Sequence, residues 1–503
     1  MRAMPMTEQL PYALYSAAQV REFDRIVIEE YGISGADLME RAGSRACHWM
    51  QERWPDLSEI LVVCGTGNNA GDGFVLARHA RQGGLRVRVL QLGDAAKLRG
   101  EALAMAEAWR AQGEEIEPYE GVPGKPGLIV DAMLGTGLER DVTGSWAAAI
   151  EEINRHRAPV FALDIPSGLN ADNGRVMGSA IHAEATLSFI GLKQGMFTGE
   201  GPDCCGEIAF DALDVPARVY GRQLLAIRRI DWRKLADLMG QRRRTAHKGD
   251  FGHLLVIGGG AGYAGAIRLA AEAGARSGAG LVTLASHPDH AATLNVGRPE
   301  LMCRAVAEGG HLAPLIERAS VIVLGPGLGR DEWAERIFQA ASATALPTVL
   351  DADGLFWLSR HPDRRDNRII TPHPGEAARL LGCSTGQVQA DRFAAVRALQ
   401  ERFGGVVVLK GAGTLIADGT SHPPALCSDG NPGMASGGTG DLLTGIIGAL
   451  VAQAHPLRLA AELGVSLHAA AGDRAAAKGE IGMLAGDLLP ELRRLLNEGV
   501  AYA

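Results

Sequence analysis

The sequence predicts an α/β protein in which parallel sheets are covered by helices on both faces, giving three-layer α/β/α domains. Two observations predict this class: short apolar runs of strand length alternate with segments of helical periodicity, and glycine-rich turns follow the apolar runs. The 503 residues are enough for two large domains of this kind. In such sheets ligands bind outside the carboxyl ends of the strands, so the polar residues there are the candidates for function.

The composition is typical of a soluble globular protein and argues against several function classes. The formal net charge of −8 and an aromatic content of 5% argue against nucleic-acid binding, and the basic cluster 242–244 is interpreted as a solvated linker edge. Seven cysteines without a CxxC pair indicate reduced cytoplasmic thiols. No apolar run reaches the roughly 18 residues of a membrane span, and residues 1–16 lack the apolar core of a signal peptide. We therefore expect a cytoplasmic protein without nucleic-acid or membrane partners.

The first half of the chain repeats a strand–turn–helix pattern. The predicted strands are 59–64, 86–92, 128–131, 160–164 and 186–190, and the predicted helices are 16–30, 74–82, 103–112 and 146–155. Polar residues follow the carboxyl ends of these strands at Asn69, Asp131, Asp164, Ser167 and Lys193. Because these ends share one edge of a parallel sheet, a ligand site explains them better than isolated helix caps. The oxygens of Asn69, Asp131 and Ser167 suit a hard monovalent or divalent cation.

The turn 65–73, GTGNNAGDG, joins a predicted strand to a helix expected to begin at Phe74. Its GxGxxA spacing is a weak dinucleotide fingerprint, because polar rather than apolar residues follow the glycines. A plain βα turn is one interpretation. Two asparagines and an acid among small residues favour a ligand loop instead.

Four ordered motifs in this half, GTGNNAGDG, DAMLGTGL, LDIPSGLNADNG and GLKQG, resemble the NAD(P)H-hydrate epimerase domain over about residues 16–222. The resemblance implies a Rossmann-like fold and a K⁺ ion held by Asn69, Asp131 and Ser167. It implies that Asp164 is the acid/base in epimerisation at the hydrated carbon of the nicotinamide ring, with Lys193 either assisting or purely structural. The implied substrate contacts are Asn68, Asn69, Ala70, Gly71, Asp72, Gly135, Thr136, Gly137, Leu138, Glu139, Arg140, Asp141 and Asp164. Many members have glycine at the position of Ala70, and we expect no consequence from this small-for-small change.

A change of pattern marks the domain boundary. Residues 223–250 show no strand periodicity, so we predict one domain over 1–225 and a second over 226–503. In the second domain, strands are predicted to start near positions 252, 281, 320, 348, 369 and 406, followed by a hairpin at 415–418. The alternation with helices again predicts a parallel sheet covered on both faces.

The stretch 437–441, GGTGD, is the strongest candidate for chemistry in the second domain. An apolar run with helical spacing follows, so a helix is predicted to start at about Asp441. A glycine-rich turn into a helix N-terminus leaves amide groups free for an anion, which makes Gly438, Thr439 and Gly440 an anion hole. Asp441 is either an N-cap or a general base beside a transferring phosphoryl group, and the excess of glycine favours the base. GxxxxGK[ST] is missing from the chain, so a P-loop nucleotidase is excluded.

Two further residues of this half have open interpretations. His373 lies between two prolines and is either a turn histidine or, as we favour, a contact at the edge of the ligand. Lys410 follows a strand and either pairs with phosphates or only bounds the strand.

The ordered motifs KGDFGH, GPGLG, DADGL, TPHPGE, LKGAGT and NPGMASGGTGD resemble the ribokinase-like carbohydrate kinases, and more closely their ADP/ATP-dependent NAD(P)H-hydrate dehydratase branch, over about residues 230–500. The resemblance implies that Asp441 is the catalytic base. The implied nucleotide contacts are Lys410, Gly411, Ala412, Gly413, Thr414 and Gly440. The implied substrate contacts are Ala266, Gly327, His373 and Asp441.

Together the two resemblances imply a bifunctional repair enzyme for hydrated NADH and NADPH (NADHX and NADPHX). One domain would interconvert the R and S forms, and the other would dehydrate the S form by phosphorylation and phosphate elimination. The implied co-substrate is ADP, with ATP as the alternative, and Mg²⁺ accompanies the nucleotide. A homo-oligomer is also implied. Two alternatives stay open: a kinase of a small hydroxyl-bearing substrate that uses the same Asp441 chemistry, and a first domain that only binds a nucleotide or a partner.

Overall fold

The structure is a computed structural model and describes residues 10–498. Contacts divide the chain into two units, the first ending at Arg228 and the second starting at Arg229. The prediction that residues 1–16 do not form a signal peptide falls partly on residues 1–9, which lie outside the described residues. Within 10–498, no helix is both long and apolar enough to span a membrane. All seven cysteines are free thiols.

The first unit is built on a parallel seven-stranded sheet with the order β4-β3-β2-β5-β6-β7-β8. Its strands are β1 (Ala13–Leu14), β2 (Glu59–Cys64), β3 (Arg86–Gln91), β4 (Ile116–Pro118), β5 (Leu128–Ala132), β6 (Val160–Leu163), β7 (Ala185–Phe189) and β8 (Glu207–Asp211). β9 (Ile227–Ile230) lies across the division between the units. The strand order reverses between β2 and β5, where the crevice of a doubly wound sheet binds its ligand.

Helices cover both faces of this sheet. They are α1 (Ala17–Tyr31), α2 (Gly35–Arg53), α3 (Asn68–Gln82), α4 (Gly100–Arg110), α5 (Gly144–Arg155), α6 (Gly201–Cys205) and α7 (Ala217–Tyr220). Along β2, Ile60 and Val62 face one apolar core, whereas Leu61 and Val63 face the other. The first core packs against α1–α4 and the second against α5, so the predicted three-layer architecture is confirmed.

Two predictions about elements of the first half were wrong. The helix expected to begin at Phe74 begins at Asn68, so most of GTGNNAGDG forms its first turns. Glycine at position 73 lets this helix pack closely against β5, because a Cβ at Gly73 would lie only 2.6 Å from the Cβ of Ala132 and would clash with it. The linker expected to lack a strand contains β9, whose Ile227 and Arg228 pair with β1 in antiparallel register. This four-residue strand is too short to give a periodic pattern.

The second unit is also built on a mostly parallel sheet, in the order β18-β17-β16-β15-β14-β13-β10-β11-β12. Its strands are β10 (His253–Ile257), β11 (Leu281–Ser286), β12 (Met302–Ala305), β13 (Val321–Leu324), β14 (Thr348–Leu350), β15 (Arg368–Ile370), β16 (Val406–Leu409), β17 (Thr414–Ala417) and β18 (Ala425–Cys427). All neighbouring strands among β10–β16 pair in parallel register. β17 pairs with β16, and β18 with β17, in antiparallel register at one side of the sheet.

One helix of the second unit is buried on nearly every side. The helices are α8 (Trp232–Leu235), α9 (Ala264–Arg276), α10 (Pro288–Ala291), α11 (Ala313–Ile316), α12 (Glu332–Ser342), α13 (Asp353–Arg360), α14 (Pro374–Leu381), α15 (Thr385–Ala390), α16 (Arg392–Phe403), α17 (Thr439–Ala452), α18 (Leu457–Ala476) and α19 (Ala485–Leu495). Every residue of α17 from Leu442 onward is buried, and the helix packs against α9 and α18. Gly445 permits this packing, because a Cβ there would overlap the carbonyl oxygen of Ala270 in α9.

Candidate active sites

In the first unit, Asn69, Asp131 and Ser167 meet beside the carboxyl ends of β2 and β5. Asp131 is fully buried, and its Oδ1 accepts hydrogen bonds from Ser167 Oγ at 2.6 Å and from the Met133 amide at 3.2 Å. Its Oδ2 accepts the Ser167 amide at 2.8 Å. Burial raises the pKa of Asp131 to about 6, although the bonds from Ser167 and Met133 act in the opposite direction. The structure thus brings together the three residues predicted to bind a cation.

The donor set fits a hard cation such as K⁺. Asn69 is 6% exposed, and its Nδ2 donates to the Leu134 carbonyl at 3.2 Å. Its Oδ1 is buried and finds no hydrogen-bond partner among the described residues. An orphaned amide oxygen beside a buried carboxylate and a hydroxyl is chemistry that a potassium ion would satisfy. Residues 10–498 contain no cluster of three or more His, Cys, Asp or Glu side chains suited to a metal.

A cavity of about 940 Å³ opens beside this cluster. Most of the predicted substrate contacts line it: Asn68, Asn69, Asp72, Gly135, Thr136, Gly137, Leu138, Glu139, Arg140 and Asp164. Three predicted contacts do not. Ala70 is fully buried in the core, Gly71 packs against the Met39 side chain, and the Asp141 carboxylate lies 3.8 Å from the Arg175 guanidinium. Ala70 and Gly71 face inward because the segment is helical rather than an open loop.

Asp164 is presented to the cavity in a strained conformation and is held there by Lys193. Its φ is 65°, in the left-handed region that residues other than glycine rarely adopt. Its Oδ1 pairs with Lys193 Nζ and accepts the Phe189 amide at 3.1 Å. Lys193 is fully buried and also donates to Ser188 Oγ and to the Phe189 carbonyl, each at 3.0 Å. All three ammonium protons are therefore used, and Lys193 positions Asp164 rather than reaching a ligand.

Two more carboxyl groups face the same cavity, from Asp24 on α1 and Asp72 on α3. Burial raises the pKa of Asp24 to about 7; the charge of Asp164 adds to the rise, and Lys193 opposes it. The pKa of Asp72 lies well above its usual range for the same reasons, burial first. The raised pKa values of Asp24 and Asp72 favour protonation of these two carboxyl groups over that of exposed acids.

In the second unit, Asp441 lies in the first turn of α17, above a buried lysine. The helix begins at Thr439, two residues before the predicted start, and its N-cap is Gly438 with a φ of 95°. Asp441 is therefore not the N-cap. Burial raises its pKa to about 7, the charge of Asp351 adds to the rise, and Lys410 opposes it. A carboxylate with this pKa suits a general base at neutral pH.

The Thr439 hydroxyl is committed to the turn itself. Its Oγ1 lies 3.0 Å from each of the carbonyl oxygens of Met434 and Ser436, to which it donates its hydrogen bond. The anion hole predicted at 438–440 would thus rely on backbone amides, since the first amides of a helix have no partner within the helix.

Lys410 is fixed beneath this turn by acids that the sequence analysis did not assign to the site. Its Nζ donates to Asp351 Oδ1 at 2.7 Å and lies 3.9 Å from Glu376 Oε2. Asp351 Oδ2 accepts Thr444 Oγ1 of α17 at 2.7 Å. Burial lowers the pKa of Lys410, but Asp351 and Glu376 outweigh it and the net shift is upward. Lys410 is also close to the helix N-terminus, because a Cβ at Gly440 would lie 3.4 Å from its Nζ.

The predicted substrate contacts of this unit are partly brought together. A Cβ at Gly327 would lie 3.1 Å from Cβ of Ala266, so these two positions are neighbours. His373 is the N-cap of α14: its Nδ1 accepts the Gly375 amide at 3.0 Å, and its own amide donates to Glu376 Oε2 at 2.8 Å. His373 thus has the structural role of a turn histidine, and the Nε2 of its exposed ring lies 3.6 Å from Glu376 Oε1. Its predicted contact with the ligand stays a prediction.

The predicted nucleotide segment 410–414 joins β16 to β17 and is organised from below by Arg392. This arginine is 1% exposed. Its Nη2 donates to the carbonyl oxygens of Leu409, Lys410 and Gly413 at 3.2–3.3 Å. Burial lowers the pKa of Arg392 to about 10. One guanidinium therefore fixes the backbone of the whole segment.

A family model described as YjeF-related protein N-terminus matches residues 35–195, and one described as NAD(P)H-hydrate dehydratase matches residues 254–494. A bifunctional NAD(P)H-hydrate repair enzyme of Coxiella burnetii is 48% identical over 96% of this chain and 99% of that protein. One of Escherichia coli is 43% identical over 98% of this chain and 95% of that protein. The chain belongs to the family of bifunctional NAD(P)H-hydrate repair enzymes. The predicted family is thereby confirmed.

A solved structure supports the fold of the second half of this repair-enzyme family member. A ribokinase-like superfamily protein of Enterococcus faecalis superimposes with a TM-score of 0.51 at 31% identity, over 55% of this chain and 97% of that one. The ribokinase-like prediction for the second domain is therefore confirmed.

Within this repair-enzyme scaffold, sequence reasoning missed Asp24, Asp351 and Arg392. Asp24 carried a signal, because an acid stands on the apolar face of α1, four residues after Val20 and three before Val27. Asp351 is the first residue of the DADGL motif, to which no role was assigned. Arg392 carried no signal, since its partners are main-chain carbonyls that any sequence supplies.

Proposed function

We propose that this chain repairs hydrated NADH and NADPH with two active sites. Residues 1–225 would interconvert the R and S hydrates, and residues 226–503 would dehydrate the S form with consumption of ADP. The observation that carries the proposal is the position of Asp441 in the first turn of α17, near the Lys410–Asp351 pair, where burial raises its pKa to about 7. An anion-binding turn, a base and a fixed cation are the parts that phosphoryl transfer to a hydroxyl requires.

Dehydration would begin by making the ring hydroxyl a better leaving group. Asp441 takes the hydroxyl proton as the oxygen attacks the terminal phosphoryl group of ADP, whose bond to the bridging oxygen breaks so that AMP leaves. The amides of 438–440 and the Lys410 ammonium stabilise the negative charge that the transferring group develops. Phosphate then leaves as the ring nitrogen supplies electrons, and loss of a ring proton restores the dihydronicotinamide.

Two ions would support this chemistry. Mg²⁺, when bound with the nucleotide, neutralises phosphate charge. Glu376 offers a carboxylate beside Lys410 that fits such an ion, since Mg²⁺ commonly pairs one or two carboxylates with phosphates. K⁺ would be held by Asn69, Asp131 and Ser167, where it supplies positive charge next to the cavity. The chain's own residues still orient the substrate and move the protons.

In the first domain, Asp164 would act on the hydrated ring carbon as acid/base. Its carboxyl group is held in place by Lys193, and the cavity beside it is large enough for a ring and its attached sugar. Cavities of roughly 300–1,000 Å³ are usual for small-molecule sites.

The decisive experiment supplies mixed hydrate epimers with ADP, ATP or no nucleotide and follows both epimers over time. We expect complete conversion of both to the dihydronicotinamide, with one phosphate released per turnover, only when nucleotide is present. Asp441→Asn should abolish dehydration and leave epimerisation intact. Conversion without nucleotide would contradict the phosphorylation step, and a stable phosphorylated product would indicate a kinase instead. The ADP and ATP arms decide which nucleotide is used.

From the family resemblance we also propose a homo-oligomer located in the cytoplasm. Light scattering of the full chain should give a mass that is a multiple of 53.0 kDa.

A further inference from the structure

We propose that Asp24 is a second catalytic residue of the epimerase site, the proton donor that works opposite the Asp164 carboxylate. The inference rests on the proposed function of the first domain and extends it to a residue outside every motif that carried the family resemblance. Both residues line the cavity of about 940 Å³, from different elements: Asp24 from α1 and Asp164 from the end of β6.

The two carboxyl groups have different partners. Asp164 is paired with the Lys193 ammonium and accepts the Phe189 amide hydrogen bond. Asp24 Oδ1 is buried and has no hydrogen-bond partner among the described residues. Burial and the neighbouring charge of Asp164 raise the pKa of Asp24 to about 7, which favours the protonated acid at this position. An acid with an unpartnered oxygen and a carboxyl group paired with a cation, in one cavity, are the pattern of a proton donor and a proton acceptor.

Two of the groups that face Asp24, Lys193 and Tyr220, do not replace this role, and if the neighbouring acid Asp72 were the donor instead, Asp24→Asn would leave inversion unchanged. Asp72, Asp164, Lys193 and Tyr220 interact with it electrostatically from the neighbouring elements. Lys193 has its protons committed, and the Tyr220 hydroxyl donates to the Ile190 carbonyl at 2.7 Å. Four further charged residues line the cavity: Arg21, Glu101, Glu139 and Arg140.

Epimerisation inverts the carbon that bears the hydroxyl, so a bond at that carbon must break and re-form. The Asp24 carboxyl gives its proton to the hydroxyl, the C–O bond breaks, and water leaves. The lone pair of the ring nitrogen forms a C=N⁺ bond. Water then adds to the opposite face of the same carbon, its proton passes to Asp164, and the C=N⁺ electrons return to nitrogen. One proton has moved from Asp24 to Asp164, exchange with solvent resets the pair, and the reverse reaction exchanges the roles.

The test compares Asp24→Asn with wild type in the full chain. Epimerase activity is measured without nucleotide, and dehydratase activity on the S form serves as the internal control. We expect the epimerase kcat to fall by about 100-fold, a typical loss for one acid–base group, with KM and the dehydratase rate unchanged. In wild type the epimerase kcat should decline as pH rises through about 7, because Asp24 must be protonated, and this decline should disappear in the variant.

An isotope measurement and a control variant distinguish a catalytic role of Asp24 from a structural one. Each inversion in H₂¹⁸O should place one ¹⁸O in the hydroxyl, and Asp24→Asn should slow this incorporation in parallel with inversion. Glu29→Gln, on the exposed side of the same helix, is the matched control and should leave both rates unchanged. Inversion without ¹⁸O, or an unaltered pH profile in Asp24→Asn, would overturn the proposal. A wild type without epimerase activity would instead refute the function proposed for the domain.

Discussion

Asp441 couples the chemistry of the second domain to pH in two opposite ways. As the proposed base it must be ionised, so the dehydratase kcat should rise as pH increases through about 7. Its pKa is raised on folding from an ordinary 3.8, so between pH 3.8 and about 7 the folded chain holds a proton that the unfolded chain has lost. The free energy of unfolding should therefore fall as pH rises from 3.8 to about 7. Asp441→Asn should flatten this part of the stability curve, measured by urea titration at several pH values, and an equally steep curve would contradict the assignment.

Asp351 is a positioning residue because it joins Lys410 to Thr444 of α17 through its two oxygens. Removing one partner of a buried ion pair typically costs about 3–5 kcal/mol. We expect Asp351→Asn to destabilise the second unit by an amount of that order and to lower dehydratase kcat, with the epimerase rate unchanged. Asp366→Asn, whose side chain is 78% exposed, is the control and should change stability by less than about 0.5 kcal/mol. Equal stabilities of the two variants would show that the buried pair is not important.

At the scale of elements, α17 depends on glycine for its depth of burial. A Cβ at Gly445 would overlap the Ala270 carbonyl, so Gly445→Ala should destabilise the chain by about 1–3 kcal/mol, although alanine is the better helix former. A Cβ at Gly486 of α19, by contrast, would meet no atom within 4 Å. Gly486→Ala should stabilise the chain by about 0.5–1 kcal/mol. Chemical denaturation of both variants checks the pair, and two shifts of the same sign would contradict the packing argument.

The sequence was sufficient to predict the elements that belong to a repeating local pattern. It was insufficient to predict features that depend on tertiary contacts. The alternation of strands and helices is a local pattern, and so are the strand ends at Asp131 and Asp164 and the glycine turn before Asp441. The start of α3 was misplaced because glycines in NNAGDG lower helix propensity, while packing against Ala132 and Met39 compensates. Lys193 could not be assigned, because its three acceptors come together only in the folded sheet.

At the scale of the whole molecule, the two units have separate apolar cores. We expect two unfolding transitions in calorimetry of the full chain. A ligand stabilises only the unit that binds it, so K⁺ in place of choline should raise the midpoint of one transition and ADP with Mg²⁺ should raise the other. Asp131→Asn should abolish the K⁺ shift and Arg392→Lys should reduce the nucleotide shift. One transition that responds to both ligands, or a K⁺ shift that persists in Asp131→Asn, would contradict this assignment.

The contact between α9 and α17 fixes the spacing of two helices that carry proposed substrate contacts. Ala266 lies in the first turn of α9 and Asp441 in the first turn of α17, and the two helices touch through main-chain atoms at Ala270 and Gly445. No rotamer change can alter a spacing that is set by backbone against backbone. Laboratory evolution toward bulkier rings should therefore find few useful mutations on these helices. Adaptive mutations should accumulate in the surrounding loops instead.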